Sequence, residues 1–418
     1  MNRYFTFHIK HLTGIGTIFL ILFFSFSPAT SDAQKSLSSY DADGMIRIRG
    51  KRTFLLGLYQ KPNQPKSLES LVKTGYNLVN LPANIHILDS AEVAGINVWV
   101  TLGTIEPSNR KISWQKIRQT VTALKNHKSI IAWELADEPA YTWNSNQLRI
   151  LPSIMTETHD SVKKADSAHL IYLNHAPVNL VQTMRNYNPS NDITACDIYP
   201  VIPTGIKTMY ALNKDGRQGD LPNTTLSQVG DYVDKMRRVC GPNRPLLMVL
   251  QGFAWEMLRP AAERDSSKIL YPTYEESWFM AWDAILHGAN GLIWWGTAFT
   301  PAGHPFHKDL TRVVNDLASI NSVLSLPAKS NTIRFRYQEM GHSVSRGIEV
   351  MVKQDEKNIW ILTANTESYP VKVDILLPFV SKKAEVLFEN RTAIIKNDCL
   401  TENYKPFEVH LYKLTPNY

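Results

Sequence analysis

The sequence predicts an α/β protein: a (β/α)8 TIM barrel followed by a small C-terminal all-β, sandwich-like domain. Eight short β-type runs alternate with helix-like stretches over the first three quarters of the chain, and only β-type runs follow Pro327. The chain has 418 residues, of which 44% are hydrophobic, so it is long enough for a barrel plus a small module and apolar enough for a large core.

The predicted barrel strands are apolar or β-branched runs. They lie at 53–60, 77–83, 96–103, 129–137, 170–175, 193–201, 244–253 and 291–299. Helix-like stretches between them include 113–127, 226–240 and 272–289, and a last helix falls in 307–327. A doubly wound open sheet is the alternative, but it normally carries a Gly-rich first turn, and GLYQKPNQP after the first strand is not one.

The start of the chain predicts a cleaved export signal. Arg3 and Lys10 precede the apolar stretch 13–26, and a small-residue cleavage site follows at 31–33. The alternative is a membrane anchor, although the apolar stretch is short for a span of about 20 residues. We therefore expect a secreted or periplasmic protein with no stable membrane span after cleavage. The predicted domains are a signal peptide at 1–33, a catalytic barrel at 34–327 and an antiparallel β domain at 328–418.

Charge and cysteine content restrict the possible partners. The formal charge is +7, but the basic residues are dispersed, so nucleic acid is not an expected partner. Cys196, Cys240 and Cys399 are too few and too scattered for a disulfide framework or a zinc site, and at most one bridge is expected. No cluster has metal-ligand spacing, so we expect neither a metal nor another cofactor. The sequence does not indicate an oligomeric state.

The ends of the predicted strands are rich in polar and aromatic residues. They supply Tyr59, Asn80, Asp137 with Glu138, Asn174 with His175, Asp197 with Tyr199, Gln251 with Trp255, and Trp294 with Trp295. Active sites of such barrels lie at the C-terminal ends of the strands. Acids, amides and aromatic rings together suit a carbohydrate. The residues predicted to bind it are Tyr59, Asn174, Asp197, Tyr199, Gln251, Trp255 and Trp295. His175 is interpreted equally well as a structural histidine.

The fourth strand ends in Asp137-Glu138-Pro139, which resembles the motif of barrel glycoside hydrolases that carry Asn-Glu-Pro at this position. The resemblance implies that Glu138 is the general acid/base and that a Glu nucleophile ends strand seven. Here Asp137 replaces the Asn, and Gln251, an amide that cannot attack a sugar, takes the nucleophile position. Strand eight supplies Trp294 or Trp295 where relatives keep a Trp beneath the sugar.

Substrate assistance would account for the missing nucleophile. A 2-acetamido oxygen of the substrate would attack, Asp137 would orient it, and Glu138 would protonate the leaving oxygen. Neighbouring carboxyls raise each other's pKa, so one can stay protonated near neutrality. Successive strand side chains point to opposite faces. Both acids therefore reach one substrate only if the strand end is irregular, as Pro139 favours.

The sequence also allows three alternatives to substrate assistance. The first is a relocated carboxylate, with Glu256, Glu275 or Glu276 as nucleophile or Asp197 as the general base of an inverting pair. The second is a non-catalytic barrel that binds glycans, which Gln251 favours. In the third, Asp137 only caps a helix. Glu134 is expected inside the barrel, in a structural network. The leading prediction is an exported glycoside hydrolase that cleaves an O-glycosidic bond with Glu138 as general acid/base.

Overall fold

The computed structural model describes residues 37–64, 66–141, 147–205, 221–330, 332–338 and 347–415. The predicted signal segment 1–33 lies outside the described residues. Eight parallel strands close into a barrel in strict chain order, which confirms the predicted fold class. In that order, the barrel strands 1 to 8 are Leu55–Leu58, Leu78–Asn80, Asn97–Thr101, Ile130–Asp137, Leu170–His175, Ile193–Asp197, Leu246–Gln251 and Gly291–Trp295.

Helices connect the strands and surround the barrel. They are Leu68–Thr74, Ile85–Ala94, Arg110–Leu124, Pro152–Ala165, Val181–Arg185, Gln228–Cys240, Tyr274–Leu286, Phe306–Ser319 and Asn321–Leu324. The helix Tyr274–Leu286 begins with a capping box, in which Thr273 and Glu276 bond to each other's backbone N–H. The apolar faces of the helices pack on the outer side of the strands in one large core.

A short antiparallel sheet that the sequence did not predict precedes the barrel. Its strands are Ser38–Tyr40, Ile46–Ile48 and Lys51–Arg52. Ile46 and Ile48 join the core inside the barrel, and the Ser38 hydroxyl donates to the Ile131 carbonyl at the start of strand 4 (2.5 Å). This sheet therefore packs against the N-terminal end of the barrel, opposite the strand ends that carry the predicted site.

The C-terminal region contains two antiparallel sheets, in agreement with the predicted all-β domain. Its strands are Ala328–Lys329, Arg334–Tyr337, Ile348–Gln354, Ile359–Asn365, Val371–Leu376, Lys383–Val386, Arg391–Ile394, Cys399–Tyr404 and Val409–Leu414. Ile361 and Tyr412 of the six-stranded sheet share a core with Val373 of the three-stranded sheet. Leu362 and Leu411 face the other way and join the barrel core, so the six-stranded sheet packs on the barrel.

Candidate active site

The end of strand 4 departs from regular geometry at two points. Glu134 pairs with Tyr172 of strand 5 and Asp137 pairs with Asn174, so strand 4 contains one extra residue, a β-bulge. Glu138 then adopts a φ of 44°, in the left-handed region that few non-glycine residues occupy. These irregularities allow the adjacent carboxyls of Asp137 and Glu138 to join one cluster, as two neighbouring acids at a strand end require.

Glu134 lies inside the barrel and is held through both carboxyl oxygens. Its Oε1 accepts from the Tyr59 hydroxyl (2.9 Å), and its Oε2 accepts from Thr101 Oγ1 (2.6 Å) and Trp99 Nε1 (3.3 Å). Burial, and to a smaller extent the charge of Asp137, raises the pKa of Glu134 to about 7. This is the internal network that the sequence predicts for Glu134.

Asn174 joins two carboxylates from neighbouring strands. Its Nδ2 donates to Asp137 Oδ1 and to Asp197 Oδ1, at 3.0 Å each. The Tyr59 hydroxyl lies 3.2 Å from the same Asp137 oxygen while also contacting Glu134. Because a tyrosine hydroxyl has a single hydrogen, it can donate to only one of these acids at a time. If either Glu134 or Asp137 is protonated, that carboxyl can donate to the Tyr59 oxygen while the Tyr59 hydroxyl donates to the other carboxyl.

Glu138 and Asp197 form a direct carboxyl–carboxyl hydrogen bond, which requires one shared proton. Burial, reinforced by the charge of Asp137, raises the pKa of Glu138 to about 7. Burial, together with the charges of Glu138 and Asp137, raises the pKa of Asp197 well above its ordinary value. Arg149 Nη1 approaches Glu138 Oε2 at 3.5 Å and opposes the shift. The pair can therefore carry a transferable proton near neutral pH.

An aromatic wall stands beside this acid cluster. The rings of Tyr199 and Trp295 are stacked, with centroids 5.6 Å apart and planes at 23°. Phe253 packs edge-on against both rings, which Gly296 permits because a Cβ there would lie 2.5 Å from the Phe253 ring. The Trp255 indole N–H donates to the Tyr199 carbonyl (3.2 Å), so Trp255 supports the wall.

Strand 8 presents only the second of its two tryptophans to the mouth of the barrel. Trp295 belongs to the inner core and is half-buried, whereas Trp294 is buried in the outer core, edge-on to Tyr76. The side chains of these neighbours therefore alternate, and of the two only Trp295 keeps part of its surface exposed.

Gln251 does not have the predicted role of a sugar ligand. It is fully buried, its Oε1 accepts from Val201 N (2.9 Å), and its Nε2 donates to the carbonyls of Val201 and Phe253 (3.0 Å each). The amide is thereby committed to the backbone of two loops. This explains why an amide occupies the position: the two carbonyls need a donor, and a carboxylate is not one.

The acids considered as a relocated nucleophile have other partners. Glu256 is buried and accepts from Asp265 N (2.7 Å). Glu276 closes the capping box of its helix, and Glu275 lies exposed in the first turn of the same helix. In the described part of the chain, no hydrogen bond or ion pair joins these glutamates to the Glu138 cluster. The two carboxyls of a catalytic pair lie about 5 Å or more apart and are not bonded to each other, so the relocated-nucleophile alternative stays a hypothesis.

Of the remaining polar strand ends, Asn80 has hydrogen-bond partners, whereas the buried ring nitrogens of His175 have none among the described residues. Asn80 donates to the Trp99 carbonyl (3.2 Å) and to Thr101 Oγ1 (3.3 Å). His175 is fully buried against Tyr187, and burial lowers its pKa to about 3, so it stays neutral. Sequence reasoning missed Trp99, Thr101, Tyr172 and Arg149. Tyr172 could have been found, because it lies two residues before Asn174 and therefore on the same strand face.

The described residues contain neither a metal-type cluster nor a membrane span. Within the ranges given above, no group of three or more His, Cys, Asp or Glu has the arrangement of a metal site. The three cysteines are all described, and no disulfide joins any two of them. No helix in the described part of the chain combines the length and apolarity needed to cross a bilayer.

Comparison with known proteins gives a consistent result. The family model for the TIM barrel domain of glycosyl hydrolases family 2 matches residues 34–192, which include Asp137 and Glu138 but not Gln251. No curated protein matches the chain. Among solved structures, one titled "Glycoside hydrolase" superposes with a TM-score of 0.61 at 13% identity, covering 91% of this chain and 97% of that one. The predicted resemblance to the barrel glycoside hydrolases is confirmed.

Two further structures extend the comparison. A family 5 glycoside hydrolase from Bacteroides vulgatus has a TM-score of 0.60 at 12% identity, covering 91% of this chain and 93% of that chain. An alpha-amylase from Geobacillus thermoleovorans has a TM-score of 0.54 at 10% identity, covering 88% and 99%. At such identities the likeness concerns the fold, so the residues that act, and on which sugar, must be argued from the site.

Proposed function

We propose that this chain is an exported glycoside hydrolase that cleaves an O-glycosidic bond in an oligo- or polysaccharide, with Glu138 as general acid/base. The observation that carries the proposal is the hydrogen-bonded pair of Glu138 and Asp197 at the barrel mouth, beside the stacked rings of Tyr199 and Trp295. A proton donor next to an aromatic wall is what cleavage of a sugar acetal requires. Export is proposed from the N-terminal segment 1–33.

The elevated pKa of Glu138 suits it to protonate a leaving oxygen. A carboxyl with a pKa of about 7 is substantially protonated at neutral pH and is still acidic enough to give up its proton. Asp197 holds that proton in place through the direct hydrogen bond, and Asn174 fixes the orientation of Asp197. Trp295 would lie beneath the C–H face of the sugar.

The carboxyl geometry supports substrate assistance over a second enzymic carboxylate. The two catalytic carboxyls are about 5–5.5 Å apart in retaining enzymes and about 6.5–9.5 Å apart in inverting enzymes. The carboxyls of Glu138 and Asp197 are closer, because they are hydrogen-bonded to each other. Asp137 is exposed to the mouth, and both of its hydrogen bonds fall on Oδ1. Its Oδ2 has no partner among the described residues, so it is available to orient a 2-acetamido group of the substrate.

The test is a turnover screen on aryl β-glycosides with and without a 2-acetamido group, using the parent, Glu138→Gln and Asp137→Asn. Activity confined to acetamido sugars and lost in both variants would support substrate assistance. Turnover of plain glycosides that survives Asp137→Asn would contradict it. An exposed-surface variant, Val380→Ala, serves as the control, because Val380 lies in the C-terminal domain and is exposed.

The second candidate is a barrel that binds glycans without cleaving them. It is favoured by Gln251, which occupies the usual nucleophile position with an amide fully engaged by the backbone. Binding of a glycan without turnover of any glycoside in the same screen would select this function. Retention of a proton-sharing acid pair speaks against it, because a binding protein does not need a proton donor.

A further inference from the structure

We propose a second glycan-binding site outside the barrel mouth: a groove between the barrel and the C-terminal domain that holds a neutral polysaccharide chain. This inference rests on the proposed function, because it supplies a second contact for the same class of polymer. The groove, called the side groove here, is lined by Tyr274, Glu275, Trp278, Phe388, Pro406 and Phe407.

The side groove offers the aromatic surface that a sugar needs. Tyr274 and Trp278, one turn apart on the same helix, have nearly parallel rings, with planes at 13° and centroids 6.1 Å apart. Phe388 from the C-terminal domain stands across Trp278 at 81°, and 38% of its surface is exposed. Because Arg312 covers one face of the Tyr274 ring, the surface left for the C–H face of a pyranose ring is supplied mainly by Phe388 and the partly exposed Trp278.

Two bulky residues of the groove have unfavourable backbone conformations. Phe388 has a φ of 67° and Phe407 a φ of 55°, in the left-handed region that disfavours large side chains. Packing accounts for the backbone conformation of Phe407, because its ring centroid lies 4.9 Å from that of the buried Phe279. Phe388 remains partly exposed and lies in the turn that joins the strands Lys383–Val386 and Arg391–Ile394, where a positive φ is common. The turn therefore accounts for its backbone and holds its ring at the groove.

The charges around the groove favour a neutral ligand. Arg312 lies 3.9 Å above the Tyr274 ring and 3.9 Å from Asp316, and Lys405 is 3.7 Å from Glu408. Both of these cations therefore already have a carboxylate close by. Neither is left free to pair with an acidic or sulfated polymer. Glu275 adds a further carboxylate to the lining. Hydroxyl groups of a neutral sugar can bond to all of these groups.

The side groove continues toward the barrel mouth. A cavity of ≈ 430 Å³ at the helix adjoins a second of ≈ 430 Å³, and the two share the lining residues Glu275, Pro406 and Phe407. The second cavity is lined by residues 200–202, which follow Tyr199 of the aromatic wall. Each volume lies in the range of sugar-sized ligand sites, roughly 300–1,000 Å³. One polymer chain could thus contact both sites.

Binding, not turnover, tests the side groove. We would measure affinity for soluble starch, xylan, glucomannan and hydroxyethyl cellulose, with alginate as the acidic comparison, by native gel retardation in a Glu138→Gln background. Phe388→Asn removes the ring and fits the left-handed backbone, so it should keep the fold. Tyr274→Ala removes a second ring at a helical position. Val380→Ala, an exposed change elsewhere in the same domain, is the matched control.

We expect at least one neutral polysaccharide to bind, alginate not to bind, and Phe388→Asn and Tyr274→Ala each to weaken binding by about tenfold or more. Val380→Ala should leave affinity within about twofold. Parent-like affinity in both ring variants, or binding of none of the neutral polymers, would overturn the side groove. Because the binding assay needs no turnover, failure of the side groove leaves the hydrolase proposal intact. Conversely, if the parent protein turns over no glycoside but the side groove still binds a polysaccharide, only the hydrolase proposal is contradicted.

Discussion

Gln251→Glu should destabilise the protein rather than restore a nucleophile. The change is nearly isosteric, but it replaces Nε2, which donates to the carbonyls of Val201 and Phe253, by an oxygen. An ionised carboxylate can donate to neither carbonyl, and a protonated one can donate to only one of them. The new acid would also be fully buried, as Gln251 is.

The magnitude follows from these contacts. One buried carbonyl left unpaired costs about 1–3 kcal/mol. Keeping the new acid protonated at pH 7 costs roughly 4 kcal/mol more, since that pH is about 2.7 units above the ordinary Glu pKa and each unit is worth about 1.4 kcal/mol. The expected loss of unfolding free energy is therefore about 5–7 kcal/mol at pH 7 but about 1–3 kcal/mol near pH 4. A folded-state pKa above the unfolded value means that stability falls as pH rises.

Urea unfolding followed by tryptophan fluorescence at both pH values measures this loss. Gln64→Glu is the matched control: its side chain is exposed, and its Oε1 accepts from Gly303 N (2.7 Å), which a glutamate can also do. The control should stay within about 0.5 kcal/mol of the parent. A Gln251→Glu protein that is as stable as the parent at pH 7, and that gains turnover, would refute the reasoning.

Further predictions concern the acid cluster. Turnover should fall as pH rises through about 7, where Glu138 loses its proton, and a basic limb that instead lies near the ordinary glutamate pKa would contradict this. Asp137→Asn should lower the pKa of Glu138 by removing a charge that raises it. Because this variant is expected to lose turnover, the pKa would be followed by an NMR titration of the Glu138 carboxyl, and an unmoved titration would count against the prediction. Asn174→Ala should cost about 1–3 kcal/mol in urea unfolding and lower turnover, because two carboxylates lose their common donor; parent-like values for both would exclude the bridging role. Glu134→Gln should flatten the decline in stability between about pH 5 and about pH 8. Because the pKa of Glu134 is raised, this residue stabilises the fold at acidic pH, and the stabilisation, on the order of 3 kcal/mol, is lost as the pH rises through about 7. Denaturation curves would contradict this if the slope of unfolding free energy against pH were the same in the variant and the parent.

The fold was largely predictable because eight buried strands and their helices leave strong hydrophobic patterns. The N-terminal sheet was not, since strands such as Lys51–Arg52 are only two or three residues long and carry no periodicity. The presence of Asp137, Asn174 and Asp197 in one cluster could be anticipated, because they end or follow neighbouring barrel strands, where parallel strand ends meet.

The parts of the site that escaped prediction depend on geometry distant in the sequence. Gln251 was interpreted as a ligand because it ends a barrel strand. Its structural role could not be predicted, since its partner Val201 is 50 residues away and no residue pattern reveals bonds to backbone atoms. The bulge between Glu134 and Asp137 and the positive φ of Glu138 likewise depend on pairing with strand 5. Only the need for an irregular strand end could be inferred, from the adjacency of two acids before Pro139.

The most direct test of the central claim, that Glu138 is the proton donor, is the leaving-group dependence of Glu138→Gln. A general acid matters most when the leaving oxygen is a poor leaving group, and its loss then costs about 10²–10⁴-fold in rate. We predict a loss of this size on alkyl glycosides and a much smaller one on dinitrophenyl glycosides, which need little protonation. An equal loss on both substrates, or none on either, would contradict the assignment of Glu138.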